Sequence, residues 1–242
     1  MFIDGHAHLD EIDKIDEAIS QAEAAGVVAI VGVGTTIDSN RTILSLAQKY
    51  PGYVYAAIGY HPWEIKPETV DETLEFVAKQ LTACVALGEV GLDYKAKVKK
   101  PLQREVFVRL LEMASHARKP VILHCRFSHE RALKLVQESG LEKAVFHWYT
   151  GSIEILQRIL DQGYSISATP ALAYSPPHEE AVRYAPLDRL LIETDSPVDY
   201  GGRPSTPADV RQTAQLVGRI KGEPIQKVAQ KTTQNAQQFF GL

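Results

Sequence analysis

The sequence predicts a single (β/α)8 TIM barrel, and three observations support that fold class. Eight short apolar runs rich in β-branched residues alternate with longer segments of helical period along all 242 residues. The short runs are apolar almost throughout, as is typical of parallel strands covered on both faces. No linker, low-complexity tract or internal repeat divides the chain, so we expect one domain spanning residues 1–242.

The predicted strands cover residues 2–4, 27–33, 53–58, 85–89, 121–124, 144–147, 165–168 and 190–193. The predicted helices cover 12–25, 39–49, 70–81, 101–118, 129–138, 153–162 and 178–184, followed by a C-terminal helical pair within 207–240. Gly26, Gly140 and Gly163 follow three of these helices, where a left-handed residue commonly ends a helix.

A doubly wound open sheet is the competing arrangement. Such a sheet would need a glycine-rich phosphate-binding turn after its first strand. The segment at that point, Gly5-His6-Ala7-His8, is not a turn of that kind.

Composition limits the class of protein. The chain carries a formal net charge of −4, two cysteines and eight histidines. It has no apolar run of about 18 residues and no signal-like start, so we expect a cytoplasmic protein without a membrane segment. Cys84 and Cys125 are unpatterned, which excludes a disulfide framework and a C-x-x-C site. The acidic balance argues against a protein that coats DNA.

Histidines gather at the predicted carboxyl ends of the strands, where barrel enzymes build their active sites. Five of the eight histidines lie there: His6, His8, His61, His124 and His147. Two carboxylates, Glu89 and Asp195, occupy the same end. His6 and His8 are two residues apart on an extended segment, so both imidazoles can reach one cation. Burying so many of these groups together without a cation would be costly.

The sequence therefore predicts a metal centre. Its six candidate ligands exceed the four that one tetrahedral zinc takes, which indicates two divalent ions: His6, His8, Glu89, His124, His147 and Asp195. Glu89 is the candidate bridge because a carboxylate can offer one oxygen to each ion. Mixed nitrogen and oxygen ligands favour zinc or manganese, with magnesium as an alternative.

The chain resembles TatD-type metal-dependent hydrolases of the amidohydrolase-like TIM-barrel superfamily. The resemblance covers nearly the whole chain through a series of spaced motifs: Asp4-x-His6-x-His8-Leu9, Gly59-x-His61-Pro62, Gly88-Glu89-x-Gly91-Leu92-Asp93-Tyr94, Pro120-Val121-x-x-His124-x-Arg126, Phe146-His147 with Gly151, Glu193-Thr194-Asp195-Ser196-Pro197, and Asn235 with Phe239. The chain departs from the family pattern at Phe127 and within residues 200–207, which affects expected substrate contacts rather than the metal ligands.

The resemblance implies that His6, His8 and Asp195 hold one metal, that His124 and His147 hold the other, and that Glu89 bridges them. It also implies a metal-dependent deoxyribonuclease, typically one that removes nucleotides from a 3′ end. Some members are proposed to deacylate misacylated tRNA.

Residues near these ligands have predicted supporting roles. Asp195 could accept a proton from the attacking water while it binds metal. Arg126 suits a phosphate oxygen pair, or it pairs with Glu193 instead. His61 could donate a hydrogen bond to phosphate or to a metal-bound carboxylate. The alternative is a hydrogen bond with a purely structural role. Two further carboxylates are predicted to orient ligands without binding metal: Asp4 and Glu193.

The rim of the predicted site is basic in places. Lys95, Lys97, Lys99 and Lys100 follow strand four, and Arg203 follows strand eight. These side chains could hold a polyanion, although an ordinary solvated loop would have the same composition. Rim aromatics could stack bases or simply pack loops: Tyr60, Trp63, Tyr94, Trp148 and Tyr149. Asp93 is interpreted either as fixing the loop after strand four or as a turn residue.

Two functional classes follow. The first is a phosphodiesterase or deoxyribonuclease, with single-stranded DNA or DNA 3′ ends as substrate. The second is an ester or amide hydrolase, such as an aminoacyl-tRNA deacylase or a small-molecule amidohydrolase. The arginine and the lysine-rich loop favour phosphate. A non-catalytic scaffold is hard to reconcile with a complete ligand set. The sequence leaves the oligomeric state open, and a monomer is compatible with it.

Overall fold

Eight parallel strands form one barrel in the computed structural model, which describes all residues from Met1 to Leu242. Each strand pairs with the next one along the chain, so the order around the sheet is the order in sequence. The strands are β1 (Phe2–Ala7), β2 (Val27–Val33), β3 (Val54–Ile58), β4 (Ala86–Asp93), β5 (Val121–Arg126), β6 (Ala144–Phe146), β7 (Ser165–Ala168) and β8 (Leu190–Ile192). The predicted fold class is confirmed.

The helices alternate with these strands and end the chain as a pair. They are α1 (Ile15–Ala24), α2 (Ile37–Lys49), α3 (Val70–Gln80), α4 (Lys100–Ala117), α5 (His129–Glu138), α6 (Ile153–Asp161), α7 (Pro176–Tyr184), α8 (Val210–Lys221) and α9 (Ile225–Phe240). Gly26, Gly140 and Gly163 have positive φ angles after α1, α5 and α6, as the sequence predicts. None of the nine helices combines the length and apolar character that a membrane crossing requires.

The barrel closes between β8 and β1 through the segment that follows β8. The Asp195 amide donates to the His6 carbonyl oxygen at 2.9 Å, and the His8 amide donates to the Ser196 carbonyl oxygen at 2.7 Å. The closure therefore fixes Asp195 directly beside the two histidines of β1.

Two apolar clusters hold the fold together. The larger one packs the strands against the surrounding helices. The smaller one, which we call the interior cluster, combines aliphatic residues of seven strands with the end of α9: Ile3, Ala29, Val31, Val33, Ala57, Ala86, Ile122, Val145, Leu191, Ala236, Phe239 and Phe240. Each large buried side chain contributes roughly 1.5–3 kcal/mol. The barrel is therefore a packed core rather than a pore.

Helix α9 covers the amino ends of the strands. Asn235 donates to the carbonyl oxygens of Leu187 and Leu190, both at 2.8 Å, where β8 begins. Lys143, just before β6, donates to the Gln238 carbonyl oxygen at 2.6 Å. With that end closed, the opposite end is the one left open for a site.

Candidate metal centre and active-site cavity

A cavity of about 560 Å³ opens at the carboxyl ends of the strands. Its walls include most of the residues that the sequence analysis selected for chemistry: His8, His61, Glu89, His124, Arg126, His147 and Asp195. His6 lies fully buried beneath them and contacts His8, Glu89 and Asp195. The structure thus brings all six predicted metal ligands together at one end of the barrel.

Two strands reach the cavity through irregular pairing. The β1–β2 register shifts between Asp4 and Ala7, and the β4–β5 register shifts between Leu87 and Val90. Such irregularities re-aim side chains, and they are common beside active sites. His6 lies within the first shift and Glu89 within the second. Position 91, just after the second shift, requires glycine. Its φ is +153°, and a Cβ there would collide with the His124 backbone.

Strained backbone marks the same end of the barrel. Only four residues other than glycine have a positive φ, and three of them follow strands at the cavity rim: Phe127 at 56°, Trp148 at 42° and Asp195 at 51°. Left-handed backbone costs such residues free energy and tends to occur at functional sites. Asp195 has this conformation three residues after the end of β8, and its carboxylate lies beside His6 and His8 of the first strand and its end.

Four donor atoms form the first half of the cluster, which we call the β1 side. His6 Nε2 and His8 Nε2 lie 3.2 Å apart. Asp195 Oδ1 lies 3.5 Å from His6 Nε2 and 3.4 Å from His8 Nε2. Glu89 Oε2 lies 3.4 Å from each of the two imidazole nitrogens. The β1 side therefore offers two nitrogens and two carboxylate oxygens around one point.

The other oxygen of Glu89 faces a second set of imidazoles, which we call the β5 side. Glu89 Oε1 lies 2.8 Å from His124 Nδ1 and 3.0 Å from His147 Nε2. His61 Nε2 is farther away, at 3.5 Å. Glu89 thus divides its two oxygens between the two sides, as a bridging carboxylate would.

Neighbouring acceptors orient two of these imidazoles, those of His8 and His147. The Val33 carbonyl oxygen accepts from His8 Nδ1 at 3.0 Å, which leaves Nε2 free to face the cluster. Glu193 Oε1 lies 3.1 Å from His147 Nδ1, a position from which a carboxylate can orient an imidazole. His6 differs from both, because its buried Nδ1 has no hydrogen-bond partner.

Asp93 has a role that the sequence analysis missed. Its Oδ2 lies 3.0 Å from His124 Nε2 and accepts from the Trp63 indole N–H at 2.6 Å. Its Oδ1 accepts from the amides of Lys95 and Ala96, so it also fixes the loop after β4, as one interpretation predicts. The strand extends to residue 93, and alternation from Glu89 through Gly91 to Asp93 is the signal that could have found it.

Asp4 contacts the backbone beside two predicted ligands, His6 and Asp195, rather than an imidazole. Asp4 is fully buried, and it accepts from the Thr194 amide at 2.9 Å, from the Thr194 hydroxyl at 2.6 Å and from the His6 amide at 3.4 Å. The register shift between Asp4 and Ala7 interrupts the simple alternation of side chains along β1. Asp4 thus holds the backbone next to Asp195 rather than a ligand side chain.

Opposite charges stabilise each other in this buried cluster. Burial alone would raise the carboxylate pKa values, yet the surrounding imidazoles hold the pKa of Glu89 well below its usual range and lower that of Asp195 to about 2. Burial alone would lower the imidazole pKa values, yet the carboxylates raise those of His8, His124 and His147. The ionised carboxylates therefore require positive charge between them.

The donor set fits divalent metal. Three groups of residues each have ligand atoms close enough to share an ion: His6 with His147 and Asp195, His6 with His8 and Glu89, and His61 with Glu89 and His124. Donors around a tetrahedral zinc at about 2.0–2.1 Å are about 3.3 Å apart, and the β1-side distances of 3.2–3.5 Å match that spacing. No lysine or arginine pairs with these carboxylates.

The two predicted arginines have different surroundings. Arg126 is exposed, lines the cavity and has no carboxylate partner, so the alternative pairing with Glu193 does not occur. Arg203 is not among the cavity-lining residues. Its guanidinium donates to both oxygens of Asp209, at 2.6 and 3.1 Å, and its side chain is 64% exposed. The predicted phosphate contact of Arg203 is therefore not supported, because Asp209 already holds this side chain on the loop.

The rim aromatics divide in a similar way. Trp63 and Trp148 line the cavity, as does Tyr174, which the sequence analysis did not select. Tyr60 and Tyr149 are buried and hydrogen-bonded within the protein, to Thr69 and the Ser152 carbonyl oxygen. Lys95 and Lys97 line a smaller groove beside Trp63 and Arg126.

Comparisons with known proteins agree with this geometry. The family model described as TatD related DNase matches residues 3–241. Human deoxyribonuclease TATDN3 is 29% identical, over 98% of this chain and 94% of the human protein. The Bacillus subtilis uncharacterized metal-dependent hydrolase YabD is 32% identical over 100% of both chains. The crystal structure of YJJV, a TatD homolog from Escherichia coli K12, superposes with a TM-score of 0.91 at 27% identity, covering 100% of this chain and 98% of that one.

Proposed function

The chain belongs to the TatD-related DNase family, and from that membership and the geometry of the Glu89 cluster we propose that it is a two-metal phosphodiesterase that removes nucleotides from DNA 3′ ends. Membership makes the chain a hydrolase that acts on ester bonds. Relatives named as deoxyribonucleases and metal-dependent hydrolases support the choice of DNA and of metal.

One observation carries the two-metal proposal. Glu89 directs Oε2 to His6 and His8 and Oε1 to His124 and His147. A single ion would leave one of these oxygens and its imidazoles without a cation. We therefore assign His6, His8 and Asp195 to one ion, His124 and His147 to the other, and Glu89 to both.

Two divalent ions in such a site supply an activated water at neutral pH and stabilise negative charge on phosphate oxygens. The residues of the chain do the rest. Asp195, whose pKa of about 2 keeps it ionised, has an oxygen available to accept the proton of the attacking water. Arg126, exposed at the cavity wall, is placed to donate to a non-reacting phosphate oxygen. His61 accepts from the Trp63 amide at Nδ1, so its Nε2 carries a proton that it can donate towards Glu89 or phosphate.

The test compares phosphodiester and carbonyl substrates. We would load the protein with Mg²⁺, Mn²⁺ or Zn²⁺ and assay single-stranded DNA labelled at the 5′ or the 3′ end, alongside an aminoacyl ester. The proposal expects the 3′ label to be released as mononucleotide and the 5′-labelled strand to shorten stepwise. The His124→Ala variant should lose this activity. Glu112→Gln, an exposed carboxylate change on α4, is the matched control and should keep it.

Other outcomes would contradict particular parts of the proposal. Cleavage of the ester but not of DNA would favour an aminoacyl-ester or amide hydrolase. Internal cuts in an end-blocked strand would replace exonuclease with endonuclease action. A metal content of one ion per chain at full activity would overturn the two-metal assignment.

A further inference from the structure

A second groove opens beside the active-site cavity, at the amino end of α5. Its volume is about 520 Å³, and it shares Arg126 and Thr150 with the wall of the active-site cavity. We call it the α5 groove and define it by Arg126, His129, Arg131 and Thr150. Arg126 and Thr150 border both spaces, so a chain-like ligand that leaves the cavity past these two residues would reach the groove.

The first turn of α5 presents free amide groups to this groove. Ser128 precedes the helix, but its hydroxyl donates to the Leu92 carbonyl oxygen and does not cap the helix. Ala132 is the first residue of the turn whose amide finds an acceptor, the Ser128 carbonyl oxygen at 2.9 Å. The amides of residues 129–131 thus have no acceptor within the protein. A ten-residue helix with such an end attracts anions through its free N–H groups and its dipole.

Unpaired positive charge flanks these amides. Arg126 and Arg131 are both exposed, and neither makes a hydrogen bond or ion pair with another side chain. The one carboxylate in the groove, Glu130, is paired with Arg158 of α6 at 3.2 Å. The groove therefore has two guanidinium groups available and a carboxylate that is already neutralised.

His129 is an independent polar group at this groove, and one of its ring nitrogens has no partner in the protein. It lines the groove with only 7% of its surface exposed, and its Nε2 has no hydrogen-bond partner. Burial, and then the nearby His124, lower its pKa to about 4, so the ring is neutral near pH 7 and has one N–H to donate. Gly151 packs closely against this ring. A side chain at position 151 would not fit, because its Cβ would lie 3.0 Å from His129 Cγ and would collide with Tyr149.

We propose that the α5 groove is a second phosphate-binding subsite. It holds a backbone phosphate of the strand whose reacting phosphodiester lies in the active-site cavity, and Arg126 stands between the two positions. The proposal rests on the proposed function for the identity of the strand. Arg131 is then a residue that favours substrates with more than one phosphate.

The first experiment measures kcat/KM for the dinucleotide dTpdT, which has one phosphodiester, and for an octathymidylate. Arg131→Ala should lower the octamer-to-dinucleotide ratio about tenfold, as expected for the loss of a charge-assisted phosphate contact, and Arg131→Glu should lower it further. The matched control is Lys134→Ala, which removes a positive charge from the next turn of α5, where Lys134 pairs with Glu138 at 3.7 Å. The control should leave the ratio unchanged.

A second experiment needs no cleavage. Binding of a hydrolysis-resistant phosphorothioate octathymidylate to the metal-loaded protein is followed by fluorescence anisotropy at increasing salt. Arg131→Ala should reduce the slope of log K against log salt by about 0.7, the value for one single-strand phosphate contact. If the octamer binds with this Arg131 dependence but neither oligonucleotide is hydrolysed by the metal-loaded wild-type protein, the subsite stands and the proposed function fails.

Three results would overturn the subsite. Arg131→Ala could leave both the ratio and the slope unchanged. Lys134→Ala could lower the octamer-to-dinucleotide ratio as much as Arg131→Ala does, which would mean that general surface charge, rather than a contact of Arg131, sets the ratio. Lys97→Ala could lower the ratio while Arg131→Ala does not, which would direct the strand along the groove beside Trp63 instead.

Discussion

The two sides of Glu89 are built differently. The β1 side draws His6 and His8 from β1 and Asp195 from the segment after β8, and the hydrogen bonds that close the barrel hold these parts together. The β5 side draws His124 and His147 from neighbouring strands, and a further carboxylate holds each of them, Asp93 and Glu193 respectively.

The two sides also differ in the number of donor atoms that they offer to an ion. On the β1 side, the two imidazole nitrogens lie 3.2–3.5 Å from each other and from one oxygen of each carboxylate. The β5 side has Glu89 Oε1, two close imidazoles and the more distant His61. Sites with a full set of protein ligands tend to hold metal structurally, and sites with fewer ligands leave room for water or substrate. We expect tighter metal retention on the β1 side and substrate exchange on the β5 side.

The largest expected effect comes from removing what the two sides share. Glu89→Gln keeps the size of the side chain but cannot give a charged oxygen to each side. We expect metal content to fall on both sides and kcat to drop about 10³- to 10⁴-fold, as the several kcal/mol supplied by the ions are lost. Metal analysis by mass spectrometry and the end-labelled DNA assay measure the two quantities.

The control for that change is Glu64→Gln. Glu64 lines the same cavity but contacts none of the imidazoles. Its replacement should leave the metal content at the wild-type value. An equal metal loss in both variants would mean that cavity charge in general, rather than the bridge, retains the ions.

Removing a ligand from one side only should distinguish the two sides. Asp195→Asn leaves His124, His147 and Glu89 unchanged, so we expect metal content to fall from two ions to one and kcat to fall about 10³-fold. A variant that still holds two ions with full activity would contradict the assignment of Asp195 to the β1 side. Circular dichroism at the same protein concentration checks that the barrel is intact.

Much of this arrangement was predictable from sequence, for a physical reason. The alternation of apolar runs and helical segments predicts the barrel, and the family match confirms the TatD resemblance. His124 and His147 continue the inward alternation of Ile122 and Val145, so their convergence follows from strand periodicity alone. Residues in regular strands are therefore those that sequence reasoning locates best.

The remaining positions depend on contacts between distant segments. The register shift in β1 separates Asp4 from the imidazoles, and no local pattern encodes that shift. Asp93 reaches His124 because β4 extends to residue 93, four residues beyond its predicted end. Arg203 is held by Asp209, a pairing between two side chains whose loop conformation periodicity does not predict. The sequence thus predicts which residue types meet but not every partner.

The orienting carboxylates test whether the β5 side depends on its neighbours. Glu193→Gln and Asp93→Asn each weaken the hold on one imidazole without removing a ligand. Changes of this kind typically cost about 10- to 100-fold in metal affinity or activity. We expect one ion to be released at a lower chelator concentration while the other is retained, as measured by titration with EDTA. Release of both ions together would contradict the independence of the two sides.

A substitution of Trp63 should have a smaller effect, because Trp63 acts on His124 through Asp93. Trp63→Phe removes the indole N–H that donates to Asp93 and retains an aromatic ring at the cavity wall. We expect activity to fall about threefold to tenfold, because one hydrogen bond to a charged group is lost at a distance from the ions. Trp148→Phe is the matched control, since the Trp148 indole lines the same cavity and makes no hydrogen bond. Equal losses in both variants would indicate a substrate contact rather than an effect through Asp93.

The pH dependence of stability should differ between the metal-free and metal-loaded protein. After burial, which acts in the opposite direction, carboxylates raise the pKa values of His8, His124 and His147 above 6.5. Protonated imidazoles then stabilise the metal-free fold fully below pH 6.5, and this stabilisation is lost as pH rises through the raised values. His178, whose pKa burial lowers to about 4, affects stability only between about pH 4 and 6.5 and does not contribute to that loss.

We therefore expect the Tm of EDTA-treated protein to fall from pH 6.5 to 9, by about 2–4 °C for each kcal/mol lost. The metal-loaded protein should behave in the opposite way, because metal displaces the same protons and binds more tightly as pH rises. Glu193→Gln removes one of the two carboxylates that face His147, so it should flatten the metal-free slope, whereas Glu64→Gln should not. Parallel Tm curves with and without metal would show that these imidazoles do not exchange protons for metal, and the distinction between the two sides of Glu89 would then lose its chemical basis.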